Sequence, residues 1–485
     1  MNAFDLPAHG GQPLRRRAVL RAAGVTALSA AAGAATVGTA RAATAGATVA
    51  GTTAGAADTL WDTVIIGAGF AGITAARELK AKGQQVLVLE ARDRIGGRTW
   101  TDTFAGQQIE LGGTWVAPGQ PNMMRELARY KIGTVPDAAP DRAIFPSGTG
   151  YASFAPDVAF AKQNRLMTPL FDGSRDYLPD PYQPFTRVDL LNNLDGLSLR
   201  DRLDQMRMSP DDEKWVNGVT SGYSGGSSKR GALTYLARWW ALSNWDFDTF
   251  NGLSVDKPVG GTVALLKAIL AEGAPTLQLS SPVSTVTDNG TQVSVTTRAG
   301  AVYRGRRVIV ATPANVWKNI TFTKALPAEF TTASTQGIGA PNARKVWMQV
   351  RGPVGRFFAQ GYEGGSQLNL VIPQAALPDG LLMVAFCVDP TLDTTSVQQV
   401  QAALRVFEPR AEVVAIRVQD WAADEFSLGG WTFQQPYQLT RLLRVLQQPQ
   451  GKVVFATSDI ANGWSGYMDG AVESGIRAAG LAATL

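Results

Sequence analysis

Histidine occurs once in the chain, at position 9, and cysteine once, at position 387. His9 falls in the first 42 residues, which read as a removable leader, so the working part of the protein has no imidazole. That excludes a Ser-His-Asp triad, a histidine-ligated zinc or iron site and a histidyl bond to a prosthetic group. A single cysteine excludes intrachain disulfides, CxxC redox pairs and iron–sulfur clusters. Cys387 lies in "LLMVAFCV", which alternates like a buried strand and is assigned to core packing. Beyond the leader no stretch is long and apolar enough to span a bilayer. Redox or hydrolytic chemistry must therefore be imported, or rest on Asp, Glu, Lys and Tyr alone.

An excess of one charge is also missing. The formal charge is +5, but residues 1 to 42 hold five arginines against Asp5, which leaves about +1 for the remainder. The whole-chain pI near 9.2 thus overstates any basic surface, and nucleic acid is not indicated as a partner. Within "LRRRAVLRAAG", Arg16-Arg17 open a basic region; a weakly apolar Ala22–Ala40 run and a small-x-small site at Ala40-Arg41-Ala42 follow. This reads as a twin-arginine signal peptide, which makes the export machinery a partner and the protein periplasmic or extracellular. A retained anchor or a disordered basic tail stays open as the alternative. The Ala/Gly/Thr-rich stretch 43–57 reads as a linker.

What is present is size and glycine. With 485 residues, 45% of them hydrophobic, and 51 glycines, the chain exceeds the ~250–300 residues that one core usually serves, so two domains are expected. "DTVIIG", a glycine-rich turn, a helix from about Gly72 to Lys82 and the strand "QQVLVLE" make a βαβ opening. "QVSVTTRAGAVYRGRRVIVAT" suggests a hairpin returning to the same sheet. Residues from about 140 to 250 are aromatic-rich and helix-like and belong elsewhere.

In "GAGFAG", Gly67 allows the tight turn, Gly69 lets the backbone approach a pyrophosphate, and Gly72 lets helix and strand pack closely. The helix N-terminus offers free N–H groups to phosphates. Glu90 ends the second strand 18 residues after Gly72, where a carboxylate can accept both ribose hydroxyls and disfavours a 2′-phosphate.

The next residues, "EARDRIGGRT" and "IELGGTWV", resemble the FAD-binding pattern of the flavin amine oxidase superfamily. By that resemblance Arg92, Gly97 and Arg98 lie on the cofactor and Gly112 and Gly113 near the flavin ring. "SSPVSTV" resembles the strand whose Val283 backbone meets the adenine. "VVFATSDIANGWSGYMDGAVESGIRAAG" is similar to the family's closing segment, in which a helix beginning near Met468 points at the flavin pyrimidine edge. Met468, Val472, Ile476 and Ala479 are expected to form that helix's buried stripe. Where relatives have Gly and, two residues later, Glu, this chain has Thr457 and Asp459. Asp459 is kept as a cofactor contact, about 1.5 Å shorter in reach.

The resemblance also assigns the reacting face. Lys345 in "NARKVWMQV" matches a lysine that reaches flavin N5 through water, with Arg344 adjacent in the alternative register. Trp431 and Tyr467 match two aromatic residues that flank the substrate amine, although each could be an ordinary core ring. Gly430 stands where some relatives carry a cysteinyl link, so FAD is expected to be noncovalent. Trp115 in "LGGTW" stands where L-amino-acid oxidases place a carboxylate-binding arginine, so amines lacking a carboxylate are favoured. "DWAADEFSLGGW" resembles bacterial nicotine oxidases of this family, but Tyr467 departs from them. In "ARWWALSNWDFDTF", Trp239, Trp240, Trp245 and Phe247 fall near the expected substrate entrance, with core packing as their default role.

The expectations are then an α/β fold with a Rossmann-like FAD domain (58–135, 252–325 and 424–485) and a second α+β substrate domain (136–251 and 326–423). The implied function is FAD-dependent oxidation of a small-molecule amine, primary or secondary and cyclic or aromatic. Oxygen or another acceptor regenerates the cofactor, no metal is involved, and a homodimer is left open. An L-amino-acid oxidase, a carbon–carbon desaturase and a non-catalytic flavin-binding protein are the alternatives.

Overall fold

The computed structural model describes residues 59–485; the expected leader and linker lie outside the described residues. The apolar strand Leu60–Ile66 leads through the glycine turn into the helix Phe70–Lys80 and then the parallel strand Val86–Leu89. The helix starts at Phe70, earlier than expected, because Gly69 serves as its N-cap and Gly72 sits inside the first turn. On its other edge the first strand pairs in parallel with Val302–Val310. The expected hairpin is present: Val293–Thr297 runs antiparallel to the first half of Val302–Val310, and Val453–Phe455 lies parallel to its second half. Val283–Asp288, Thr276–Gln278 and Thr321–Phe322 complete an eight-stranded sheet.

Strand composition explains this topology. Ile65, Val88, Ile309 and Val454 are fully buried, as strands covered on both faces require, beneath the helices Phe70–Lys80 and Met468–Thr484. Those two helices approach closely because Gly475 lies against Ala71, whose carbonyl oxygen would be 2.4 Å from an added Cβ. The closing helix buries Met468, Val472 and Ala479 as expected, but Ile476 is only half-buried. Ser474, Gly475 and Ala478 fill that stripe instead, since the narrow crossing favours small residues.

A second, mostly antiparallel seven-stranded sheet has the order Glu412–Asp420, Arg344–Arg351, Gly380–Cys387, Leu368–Leu377, Phe357–Gln360, Arg142–Ser147, Gly150–Phe154. Cys387 is fully buried within it. The aromatic-rich region thus opens with a hairpin of this sheet before it becomes helical at Pro156–Met167, Pro210–Tyr223 and Leu233–Leu242. All ten residues of Leu233–Leu242 are buried, and Trp240 stacks on Phe171 with ring centroids 4.6 Å apart. Among the described residues no helix is long and apolar enough to cross a membrane.

The C-terminal ends of the parallel strands converge on one crevice, the place where open α/β sheets bind ligands. Its geometry depends on Gly72, where an added Cβ would stand 2.0 Å from the Gly67 carbonyl oxygen and 3.1 Å from Ala311 Cβ. Gly72→Ala must push the helix off the sheet. A loss of about 1–3 kcal/mol is expected, seen as a lower unfolding temperature, with FAD retention falling in parallel.

Candidate active site

A single cavity of about 620 Å³ runs from that crevice to the second sheet. Its floor at the crevice is made by Gly67, Gly69 and the uncapped N-terminus of the helix Phe70–Lys80. Glu90 is buried beside it. One carboxylate oxygen accepts from the Ala68 N–H at 2.7 Å and the other from the Arg92 N–H at 2.9 Å, which ties the strand end to the turn. The remaining lone pairs are free for ribose hydroxyls.

The Gly-Gly-Arg turn lies opposite. A Cβ built on Gly69 would find no protein atom nearer than 3.7 Å, and one on Gly97 none nearer than 3.8 Å. Packing and backbone alone would accept a side chain at Gly69, so glycine there fits a cradle whose backbone is approached by something else, as a pyrophosphate group would do; Gly97, at φ +57°, is favoured by its left-handed backbone. Arg94, which sequence reasoning passed over inside the quoted motif, donates to the carbonyl oxygens of Ile95, Gly97 and Thr99 and fixes the turn. Arg92 lines the cavity, paired with Asp424 and Ser427. Val283 lines it at the far end of the crevice, and Met468, first residue of the closing helix, packs near Gly113.

Asp459 was expected on the cofactor; its carboxylate is buried and the residue does not line the cavity. It accepts from Arg98 Nη2 at 2.7 Å, Thr432 Oγ1 at 2.5 Å and the Ala314 N–H at 2.8 Å. Burial alone would push this carboxyl up; the Arg98 charge and these hydrogen bonds outweigh it and hold it below the ordinary value. The shorter side chain reaches Arg98 and stops there, so Thr457, Ser458 and Arg98 present the polar wall instead. Gly72 likewise lies behind the lining, in helix packing.

On the second sheet Lys345 points into the cavity. Its Nζ donates to the Gly112 carbonyl at 3.0 Å and to Thr114 Oγ1. The Arg344 guanidinium is committed elsewhere, to the carbonyl oxygens of Asp389 and Leu392. Lys345 is 2% exposed, and its ammonium lies 5.0 Å from the Trp115 ring centre and 5.4 Å from that of Phe386. Burial pushes its pKa down from 10.5 to about 7; the Glu110 and Asp137 carboxylates oppose the shift and Lys257 adds to it. Trp115 donates its indole N–H to Asp137 at 2.7 Å. Phe386 was missed, although strand alternation next to the buried Cys387 places it on the opposite face.

Trp431 and Tyr467 share the same cavity wall. Trp431 donates to the Tyr223 carbonyl at 2.8 Å and packs edge-on against Phe386. Tyr467 packs edge-on against Trp239 and Trp464, and burial raises its hydroxyl well above the usual range. Trp239 and Phe247 also line the cavity; Trp240 does not, being packed in the core, and Trp245 carries the Arg175 guanidinium over its ring. At Gly430 a Cβ would stand 2.3 Å from Ala343 Cβ, so no side chain fits there to form a covalent link.

Lys345 supplies a pH test. Its folded pKa lies below its unfolded one, so burying the charge costs stability fully below pH 7, and the cost fades as pH rises toward 10.5. Lys345→Met should therefore raise the unfolding temperature most at or below pH 7 and hardly at all near pH 10. A uniform effect at all pH values would show that the ammonium is not desolvated.

Comparison with known proteins agrees with this geometry. Residues 70–483 match the family described as flavin containing amine oxidoreductase. The chain is 34% identical over 422 residues to a pseudooxynicotine dehydrogenase of a Pseudomonas species, covering 86% of this chain and 84% of that protein. It is 33% identical to the nicotine dehydrogenase of Pseudomonas putida, over 86% of this chain and 87% of that one. Putrescine oxidase bound to putrescine superposes with a TM-score of 0.74 at 23% identity, covering 88% of this chain and all of the other. Cyclohexylamine oxidase from Brevibacterium oxydans gives 0.71 at 23% identity, over 88% and 99%. The chain is therefore a member of the flavin-containing amine oxidoreductase family and uses FAD.

Proposed function

We propose that this FAD-dependent amine oxidoreductase is exported through the twin-arginine pathway and oxidises a primary or secondary amine, cyclic or aromatic and without a carboxylate, to an imine that hydrolyses to a carbonyl product. The observation that carries the substrate class is the state of the cavity's arginines. Arg92 is paired with Asp424, Arg98 with Asp459 and Arg298 with Glu425, while Arg344 is held by backbone carbonyls. None presents a free fork to a substrate carboxylate, and Trp115 has its own partner in Asp137. That disfavours α-amino acids.

Trp431, Tyr467, Tyr223 and Phe386 surround the amine with rings, an environment that favours the uncharged amine over the ammonium ion. Only the uncharged amine has a lone pair to assist loss of the α-hydrogen. Bound FAD supplies the redox step, accepting the α-hydrogen with its electron pair at N5. The chain's own work is positional: Trp431 is anchored through Tyr223, Tyr467 through Trp239 and Trp464, and Lys345 holds or releases a proton at the cavity wall beside Gly112. Noncovalent FAD suits the export route, because a twin-arginine leader moves proteins already folded around their cofactors. Relatives named as dehydrogenases and one named (S)-6-hydroxynicotine oxidase, from Paenarthrobacter nicotinovorans, support oxygen or another acceptor as the final oxidant.

Anaerobic mixing of the yellow protein with matched amines and α-amino acids tests this reading. Amines are expected to bleach the flavin absorbance and the corresponding amino acids to leave it unchanged. Trp431→Ala should weaken amine binding roughly tenfold while FAD stays bound. Bleaching by alkene precursors alone would make the protein a desaturase, and bleaching by nothing would leave a flavin-binding protein without turnover.

A further inference from the structure

A two-stranded ribbon pairs Thr134–Pro136 antiparallel with Asp256–Pro258. It brings Asp137 and Lys257 together as an ion pair whose side chains are 7% and 24% exposed. Asp137 lines the cavity and Lys257 does not. Asp137 Oδ2 accepts from the Trp115 indole N–H at 2.7 Å and from Gln374 Nε2 at 2.8 Å. Gln374 Oε1 accepts from Lys257 Nζ at 3.1 Å, so a flipped amide would set like groups against each other at both ends. The ribbon also holds the Trp115 turn by its backbone, since the Val116 N–H donates to the Asp256 carbonyl at 2.9 Å.

That turn carries the partners of Lys345. The lysine donates to the Gly112 carbonyl and to Thr114 Oγ1, and its Nζ stands 5.0 Å from the centre of the Trp115 ring. Asp137 Oδ2 is bonded to the edge of the same ring, so the carboxylate and the ammonium lie within about 10 Å of each other. At that distance one charge in a protein moves another's titration by roughly one pH unit. Other charged neighbours of Lys345 have fixed duties. Glu110 spends its carboxylate on Thr101 Oγ1 and on the N–H and hydroxyl of Thr262, and burial pushes it up. Arg344, next on the same strand, is held by the carbonyls of Asp389 and Leu392. The flanking strands set neutral residues, Phe386 and Gln419, opposite Lys345.

We infer that Asp137 and Lys257 are positioning residues for the reacting face: Asp137 pins the Trp115 ring against Lys345 and favours the ammonium form of that lysine, while Lys257 opposes it. The charge claim stands on this cluster alone, and its bearing on catalysis rests on the amine-oxidising reading above. The pair sets where the lysine gives up its proton without either member touching Nζ.

The test uses the holoprotein with Asp137→Asn, which keeps an acceptor for Trp115 but removes the charge, Asp137→Leu, which removes both, and Lys257→Met. Unfolding temperatures are measured from about pH 5 to about pH 10, each variant with and without Lys345→Met. Losing the carboxylate makes the buried ammonium costlier and lowers its folded pKa; losing Lys257 does the reverse. The stabilisation that Lys345→Met brings at low pH should therefore grow in Asp137→Asn and shrink in Lys257→Met. The pH at which it starts to fade should fall from about 7 by roughly one unit in the first and rise in the second. Shifts of one sign in both variants, or none with Asp137→Asn, would overturn the inference. Pinning is read from anaerobic flavin reduction by an amine, which Asp137→Leu is expected to slow roughly tenfold more than Asp137→Asn at the same pH. Equal rates in those two variants would remove Trp115 from the account. If no amine reduces the flavin, the amine-oxidising reading fails and takes the pinning claim with it, while the unfolding series still decides the charge claim.

Discussion

The Arg98–Asp459 pair joins the parts of the chain on which the site depends. Arg98 belongs to the glycine turn; its guanidinium donates to the Gly430 carbonyl, Thr457, Ser458 and Asp459. Asp459 in turn accepts from Thr432 and from the backbone of Ala314. The turn, the segment carrying Trp431 and the loop leading to Tyr467 are therefore held to one ion pair, in which Asp459 is buried and Arg98 keeps 20% of its side-chain surface. Removing the arginine would leave the buried aspartate charge uncompensated. Position, the one thing the protein must supply to a cofactor that carries the chemistry, is set here.

Desolvation is the second theme. A chain whose only histidine is His9 has few groups that titrate near neutrality, and the cavity obtains one by burying a lysine. Lys345 is brought to about 7 mainly by exclusion of water, while Glu110 and Asp137 keep it from falling further. In the proposed function the same exclusion favours an uncharged amine between the rings.

Much of the crevice was legible in the sequence because its constraints are local. Gly67, Gly69 and Gly72 follow a strand and open a helix, and Glu90 ends the next strand, so spacing places them; the "GGRT" turn was placed by the family resemblance. Lys345 was assigned over Arg344 by the family resemblance, and in the structure Lys345 donates to the Gly112 carbonyl while Arg344 is held by the carbonyls of Asp389 and Leu392. The pairing of Asp459 with Arg98 was not legible, because the two lie 361 residues apart in the chain. Gln163, Gln360 and Asn369 carry no motif at all. The packing of Gln360 and Asn369 arises from the glycines and carbonyls of the helix Pro210–Tyr223, which only the packed chain brings to them.

The most direct measurement is the Kd of the apoprotein for FAD in Asp459→Asn beside the parent. This residue does not line the cavity, so a change passes through its partners Arg98, Thr432 and the Ala314 backbone. The expected result is binding weakened about tenfold to a hundredfold, the cost of losing a charge-assisted hydrogen bond, with amine-driven reduction slowed as Trp431 and Tyr467 lose their common anchor. Unchanged FAD affinity together with an unchanged reduction rate would contradict the claim that this pair sets the geometry of the site.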